Sequence, residues 1–244
     1  MPSCGCLGCM PLRPSITTAF SRTACCSRCC RHAAKAGFNR AMETELKLTL
    51  RQQDVPALLA HPLLAAPAQV QRLLNTYFDT PALDLKQRRM AVRERLAGTQ
   101  WLLTVKTAGK SENGLSRRQE WEGPTTPGAL QFDALVDDAA LATDLMALRP
   151  NLKALFCTDF ERQRWVVTHE GAQIEVALDQ GRIHVPGTAL QEPLLELELE
   201  LLSGPESALM ALANVLRQTP QGTVALTPSD ASKAQRGMAL WAQT

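Results

Sequence analysis

Acidic and basic side chains recur two residues apart in segment after segment of this chain, each time opposite a run of aliphatic residues. That alternation restricts the fold more than any other feature. In residues 43–51, Glu43, Glu45, Lys47, Thr49 and Arg51 share one face of an extended chain, and Thr44, Leu46, Leu48 and Leu50 share the other. Residues 194–201 repeat the theme, with Glu196, Glu198 and Glu200 on one face and four leucines on the other. Three carboxylates along one face repel each other, so something cationic must lie opposite them. The candidates follow the same two-residue spacing. Arg93 and Arg95 share a face within residues 90–96, and Thr104 and Lys106 share one within 101–107, with Gly98 turning between them. In residues 116–122, Arg118, Glu120 and Glu122 alternate with Arg117, Gln119 and Trp121, and both faces have polar members. Phe156, Thr158, Phe160, Arg162 and Arg164 fall in one phase of a long strand over 153–169, and Glu175, Ala177 and Asp179 in one phase of the next, with Gly181 opening a separate strand over 182–185.

Helical signals fall in the connections. Asp54 reads as the cap of a short helix with Pro56 in its first turn, and residues 82–89 as a second. Residues 129–148 carry two short helices that Asp133 and Thr143 could help cap; 205–217 and 229–241 are amphipathic, and 110–114 is a polar loop. Strands with helices inserted between them predict an α+β fold, an eight-stranded closed antiparallel β-barrel with helices packed outside. If the aliphatic faces meet the helices, the charged faces must line a common bore. Burying so many charges is tolerable only when opposite signs pair or a multivalent ligand neutralises them. Arginine forks suit phosphate oxygens and clustered carboxylates suit hard divalent ions, so together they describe a metal-bound polyphosphate.

Charge distribution narrows the partners. Six of the 26 basic residues and none of the 24 acidic ones lie before Glu43, which leaves the remainder at 20 against 24, a formal charge of −4. A nucleic-acid binder shows a basic excess on its folded part, so no nucleic-acid partner is expected and the anion site must be local. No apolar run approaches the roughly 20 residues that a membrane span needs, so no membrane partner is expected either. Seven of the eight cysteines lie in the first thirty residues, where Cys6-x-x-Cys9 and Cys26-x-x-Cys29 match a zinc spacing without strands or helices to fold around a metal. We read residues 1–41 as a disordered or non-native leader and 42–244 as the working domain. Cys157 alone beyond the leader fits a reducing, cytoplasmic setting.

Glu43-x-Glu45-x-Lys47, Tyr77-Phe78-Asp79-Thr80-Pro81, Arg93-x-Arg95, Thr104-Val105-Lys106, Arg118-x-Glu120-x-Glu122, the 175–181 stretch, Glu196-x-Glu198-x-Glu200 and Ser232-Lys233-Ala234 together resemble the CYTH family, the triphosphate tunnel metalloenzymes. The resemblance runs in order from residue 43 to about 237 and is most like the bacterial inorganic triphosphatase branch. It implies an eight-stranded tunnel that hydrolyses a triphosphate, most simply inorganic tripolyphosphate, to diphosphate and phosphate with Mg2+ or Mn2+. Members of that branch often carry a helical, histidine-rich domain after the tunnel, a part of the resemblance that these 244 residues are not expected to share. Carried over residue by residue, the resemblance assigns the metal to Glu43, Glu45, Glu196 and Glu198, with Glu200 a further candidate. Lys47, Arg93, Arg95, Lys106, Arg118, Arg162 and Arg164 would hold phosphate oxygens, and Lys233 would close one mouth. Glu45, Asp179 and Glu200 are the catalytic candidates, with Asp179 or Glu200 orienting the water. Thiamine triphosphatase, class IV adenylate cyclase and a non-enzymatic polyphosphate- or nucleotide-binding module remain as alternatives, and the chain as monomer or homodimer.

Overall fold

A computed structural model describes residues 39–244. The cysteine pairs, and with them the leader and zinc readings, lie outside the described residues. Nine strands carry the fold: β1 (Asn39–Thr49), β2 (Gln69–Asp79), β3 (Ala91–Ala97), β4 (Gln100–Lys106), β5 (Lys110–Glu112), β6 (Leu115–Pro124), β7 (Lys153–His169), β8 (Ala172–His184) and β9 (Gln191–Ser203). Eight of them follow one another in the antiparallel order β1-β9-β8-β7-β2-β3-β4-β6, and β6 pairs back onto β1 to close the barrel. The expected eight-stranded closed architecture is the one found. Closure sets Glu43 directly opposite Arg118 and Glu45 opposite Glu200.

The helices α1 (Val55–Leu59), α2 (Asp84–Gln87), α3 (Phe132–Leu135), α4 (Ala139–Leu148), α5 (Ser207–Leu216) and α6 (Lys233–Trp241) sit in the connections. Two aliphatic layers hold them to the barrel. Leu46, Leu48, Ile174, Val176, Leu178, Leu197 and Leu199 point outward from β1, β8 and β9 onto Leu58 of α1 and Leu209, Leu212 and Leu216 of α5. On the far side Val92, Leu103, Val105 and Trp121 meet Phe132, Leu135 and Leu145. Each such side chain contributes about 1.5–3 kcal/mol by leaving water, and this is why the leucine faces of the alternating strands turn out and the charged faces turn in.

Local expectations needed four corrections. Residues 110–112 form a strand, β5, paired to β6, rather than lying in a loop. The break expected at Gly181 does not occur: β8 runs through it, and a Cβ there would sit 2.2 Å from the Asp159 carbonyl, so the glycine permits close strand approach rather than a turn. Asp54 precedes α1 but accepts from Arg51, at 2.8 and 3.0 Å, and makes no capping hydrogen bond to the helix. The cap of α4 is Asp138, which accepts from the amides of Ala140 and Leu141, whereas Thr143 lies mid-helix donating to the Ala139 carbonyl and Asp133 lies within α3.

α6 differs from the other helices. Its Leu240 packs with Phe156, Ile183 and Leu194, so it closes one end of the barrel. Ser232 and Gln235 form a reciprocal capping box that sets where it starts. Gly237 is the contact point: a Cβ would lie 2.0 Å from Cε2 of Phe156, whose ring is stacked on Tyr77 at 4.7 Å between centroids and cannot yield. Gly237→Ala is therefore expected to lower stability by about 1–3 kcal/mol through overpacking, as read from denaturant unfolding. An unchanged midpoint would show that the helix has room to move. Among the described residues, no helix is long and apolar enough to cross a membrane.

Candidate functional site

The barrel encloses a cavity of about 1110 Å3. Seven of its eight strands supply charges along the bore; β2 presents Asn75 and Tyr77 there and carries its one acid, Asp79, only at its end. The ambiguity in β6 is resolved by packing: Trp121 is buried in the outer layer, so Arg118, Glu120 and Glu122 face in.

Every inward base meets an acid across the bore. Lys106 Nζ donates to both oxygens of Glu43, at 2.8 and 2.9 Å, and lies 2.8 Å from Glu120. Arg118 bridges the first two acids of β1, with Nε to Glu43 and Nη2 to Glu45, both at 2.8 Å. Lys47 lies 3.5 Å from Glu45 and 3.3 Å from Glu198, tying β1 to β9. Arg162 forks onto Asp179 with two bonds of 2.7 Å and also reaches Glu198. The ammonium of Lys233 is buried against Asp179 at 2.7 Å, Glu198 at 2.9 Å and Glu196. Arg93 and Arg95 are held more loosely: Glu122 is 3.6 Å from the first and 3.7 Å from the second, and Arg95 donates to Asn75 Oδ1 at 2.8 Å. Arg164 stands apart at the rim, half exposed, 3.2 Å from Glu175.

Of the acids expected to act, Glu43, Glu45, Glu198 and Glu200 line the open cavity. Asp179 and Glu196 do not. They are buried behind Lys233, with Asp179 also gripped by Arg162 and Glu196 lying 3.6 Å from Arg236. Carboxylate oxygens of Asp179, Glu196 and Glu198 come within 4.8 Å of one another, close enough to hold one ion, and Lys233 now neutralises that group. Hard oxygen donors of this kind fit a divalent cation such as Mg2+ or Mn2+. Burial works against ionising Glu198, but Lys233, Lys47 and Arg162 hold its carboxyl well below the ordinary range. Burial pushes the neighbouring Glu196 up.

Glu200 is the odd carboxylate. It has no ion pair or hydrogen bond among the described residues, and burial, then Glu43 and Glu175, push its carboxyl from 4.5 up to about 7. An acid whose folded pKa is raised destabilises the folded state once it ionises, so the penalty is absent below pH 4.5 and fully developed above pH 7. Glu200→Gln is thus expected to be more stable than the parent by roughly 1–3 kcal/mol above that window and equal to it below, in chelator-treated protein. Urea titrations across the pH range check this; a pH-independent difference would contradict it. Burial likewise lowers Arg95 to about 10, helped by Arg93.

Sequence reasoning missed several participants. Glu120 and Glu122 complete the pairs of Lys106, Arg93 and Arg95, and their spacing was visible but obscured by the polar members of the opposite face. Thr104 donates to Glu122 at 2.7 Å, and the Tyr77 hydroxyl accepts from Arg93 at 3.5 Å. An isolated Asn, Thr or Tyr on a strand carries no signal of that kind.

Comparison with known proteins follows the same geometry. Residues 41–238 match the CYTH domain. The chain is 34% identical over 205 residues to an inorganic triphosphatase of Haemophilus influenzae, covering 81% of this chain and 54% of that relative, so it spans about half the relative's length. Among solved structures, a putative adenylyl cyclase from Hippeastrum, described as having a dominant triphosphatase activity, superposes with TM-score 0.59 at 22% identity, covering 81% of this chain and 96% of that one. A putative adenylate cyclase from Bacillus halodurans gives TM-score 0.51 at 19% identity, covering 81% and 97%. At those identities the two structures speak for the fold alone.

Proposed function

The chain belongs to the CYTH domain family, and on that premise we propose that it is a divalent-metal-dependent hydrolase that cleaves inorganic tripolyphosphate to diphosphate and phosphate inside the bore. The observation that carries this reading is the convergence of acids and bases from seven strands on one cavity, with Arg93 and Arg95 held loosely, at 3.6 and 3.7 Å from Glu122. The likeness to the Haemophilus influenzae inorganic triphosphatase supports the choice of substrate.

Lys47, Arg93, Arg95, Lys106, Arg118 and Arg162 hold the phosphate oxygens, and Arg164 meets the substrate at the rim. Each exchanges a carboxylate partner for phosphate, so binding keeps the buried charges paired rather than adding new ones. Glu43, Glu45 and Glu198 would hold the metal, and Glu196 would be available to it where Lys233 turns toward the phosphates. The bound cation supplies charge neutralisation of the phosphate oxygens as the transition state forms. Glu200, unpaired and close to neutral pH in its titration, takes the proton of the attacking water. Water oxygen bonds to the terminal phosphorus, the bridging P–O bond breaks, its electron pair leaves with the diphosphate, and the proton passes from Glu200 to product. Asp179, fully buried on Arg162 and Lys233, orients those two cations instead.

The cyclase reading lacks support in the cavity, because the aromatic rings of Tyr77 and Phe156 are stacked on each other rather than open to a base. Incubation with tripolyphosphate, thiamine triphosphate and ATP in Mg2+ or Mn2+ separates the readings. Orthophosphate released fastest from tripolyphosphate is the expected result; cyclic nucleotide with pyrophosphate from ATP would replace the proposal with cyclisation.

A further inference from the structure

β2 and β7 run side by side, and strand register sets three rows of inward side chains across them: Leu73 opposite Phe160, Asn75 opposite Thr158, and Tyr77 opposite Phe156. The first and third rows belong to one buried apolar cluster. The middle row is polar. Asn75 and Thr158 are 1% and 0% exposed, and an aliphatic pair there would continue the cluster without burying an amide and a hydroxyl. A buried amide has to be engaged at both ends, and this one is. Its Nδ2 donates to Thr158 Oγ1 at 2.9 Å, and its Oδ1 accepts from Arg95 Nε at 2.8 Å. Arg95 lies directly across from Asn75 on β3, so the three side chains form one line over three strands. Arg95 lines the cavity and the other two do not, so neither of them meets a bound anion itself.

The acceptor sets Arg95 apart. Arg118 and Arg162 each donate Nε to a carboxylate, Glu43 for the first and Asp179 for the second. Arg95 donates Nε to a neutral oxygen, and Glu122 lies 3.7 Å from its Nη1. Arginine only donates, so Asn75 must turn its oxygen toward Nε; the amide nitrogen then needs an acceptor behind it, and Thr158 provides one. The hydroxyl thus fixes which way round the amide sits. With Nε held, the guanidinium is fixed in its plane and its Nη end is left for an anion in the cavity.

We propose that Asn75, oriented by Thr158, is a positioning residue that presents Arg95 to a phosphate of the substrate without neutralising it. The inference rests on the triphosphate reading of the bore and adds to it a part for β2, the strand that carries no charge along the bore. A carboxylate at position 75 would lie directly opposite Arg95 and close an ion pair that an incoming phosphate must break. The amide makes the same hydrogen bond and leaves the positive charge to the substrate.

Kinetics of phosphate release from tripolyphosphate by the full chain test this. Asn75→Asp keeps the shape and the acceptor, and should raise KM roughly tenfold or more with a smaller change in kcat. Thr158→Val removes the acceptor of the amide, lets it turn its NH2 group onto Arg95, and should raise KM about threefold to tenfold. Thr158→Ser, which keeps the hydroxyl, should hold KM within about twofold of the parent. An unchanged KM in Asn75→Asp overturns the proposal. So does a lowered unfolding midpoint in Thr158→Val with KM unmoved, the mark of a purely structural pair, or a KM for Thr158→Ser as high as that of Thr158→Val, which would trace the effect to packing. Calorimetric titration of tripolyphosphate into parent and Asn75→Asp protein reads the same difference without turnover. Equal binding overturns the proposal; binding at least about tenfold weaker in the variant supports it, even for a parent that releases no phosphate, a result that would reject the hydrolase reading alone.

Discussion

Glu45→Gln protein is expected to fold normally and to release phosphate from tripolyphosphate more slowly by a factor of at least about 100. Glu45 sits where three roles meet: it accepts from Arg118 at 2.8 Å, lies 3.5 Å from Lys47, and is the cross-strand partner of Glu200. The amide keeps the shape and one acceptor oxygen for Arg118, so the barrel closes as before. What is lost is a hard anionic donor to the cation and the balance of charge against two bases. Steady-state phosphate release, with circular dichroism as the control for folding, decides the matter. Turnover within a fewfold of the parent would remove Glu45 from the metal site.

Lys233→Met is expected to carry the largest stability cost in the molecule, about 3–5 kcal/mol near neutral pH. Burial opposes the charge on this ammonium, but Asp179, Glu196 and Glu198 outweigh it and hold its pKa above the ordinary 10.5. The stabilisation it gives is therefore complete below pH 10.5 and lost only above it. With the ammonium removed, three carboxylates within 4.8 Å of one another keep only the flanking Arg162, Lys47 and Arg236 as counter-charges. The deficit should thus be greatest where they are ionised and shrink as acid protonates them. A divalent cation should raise the unfolding midpoint of the variant more than that of the parent, because it takes the place the ammonium held. Equal shifts would show that the ion binds elsewhere in the bore.

Much of this was legible from alternation alone. The Glu43–Lys47 and Glu196–Glu200 stretches could face inward only if the leucines between them found a core, and α1 and α5 supply it. That argument located the barrel, its inward faces and most of the charged lining. It was silent on two matters. Alternation tells which face a residue takes but not how deep along the axis it lies, so it does not reveal that Lys233 seals off Asp179, a catalytic candidate, and Glu196, a metal candidate. Pairing partners across a closed barrel depend on stagger, which no single strand encodes; hence the Arg118-x-Glu120-x-Glu122 pattern does not reveal Glu120 and Glu122 as the counter-charges of Lys106, Arg93 and Arg95. At Gly181 local turn chemistry suggests a break, whereas the neighbouring strand that crowds it is what requires the glycine.

The central claim is that separated acids and bases converge inside a hollow barrel to hold a metal-bound triphosphate. Anomalous diffraction from crystals grown with Mn2+ and a slowly hydrolysed tripolyphosphate analogue tests it most directly. The account predicts manganese between β1 and β9, ligated by Glu43, Glu45 and Glu198, with phosphate oxygens on Arg93, Arg95 and Arg118. Manganese and phosphate bound only on the outer surface, with the bore's ion pairs intact, would contradict it.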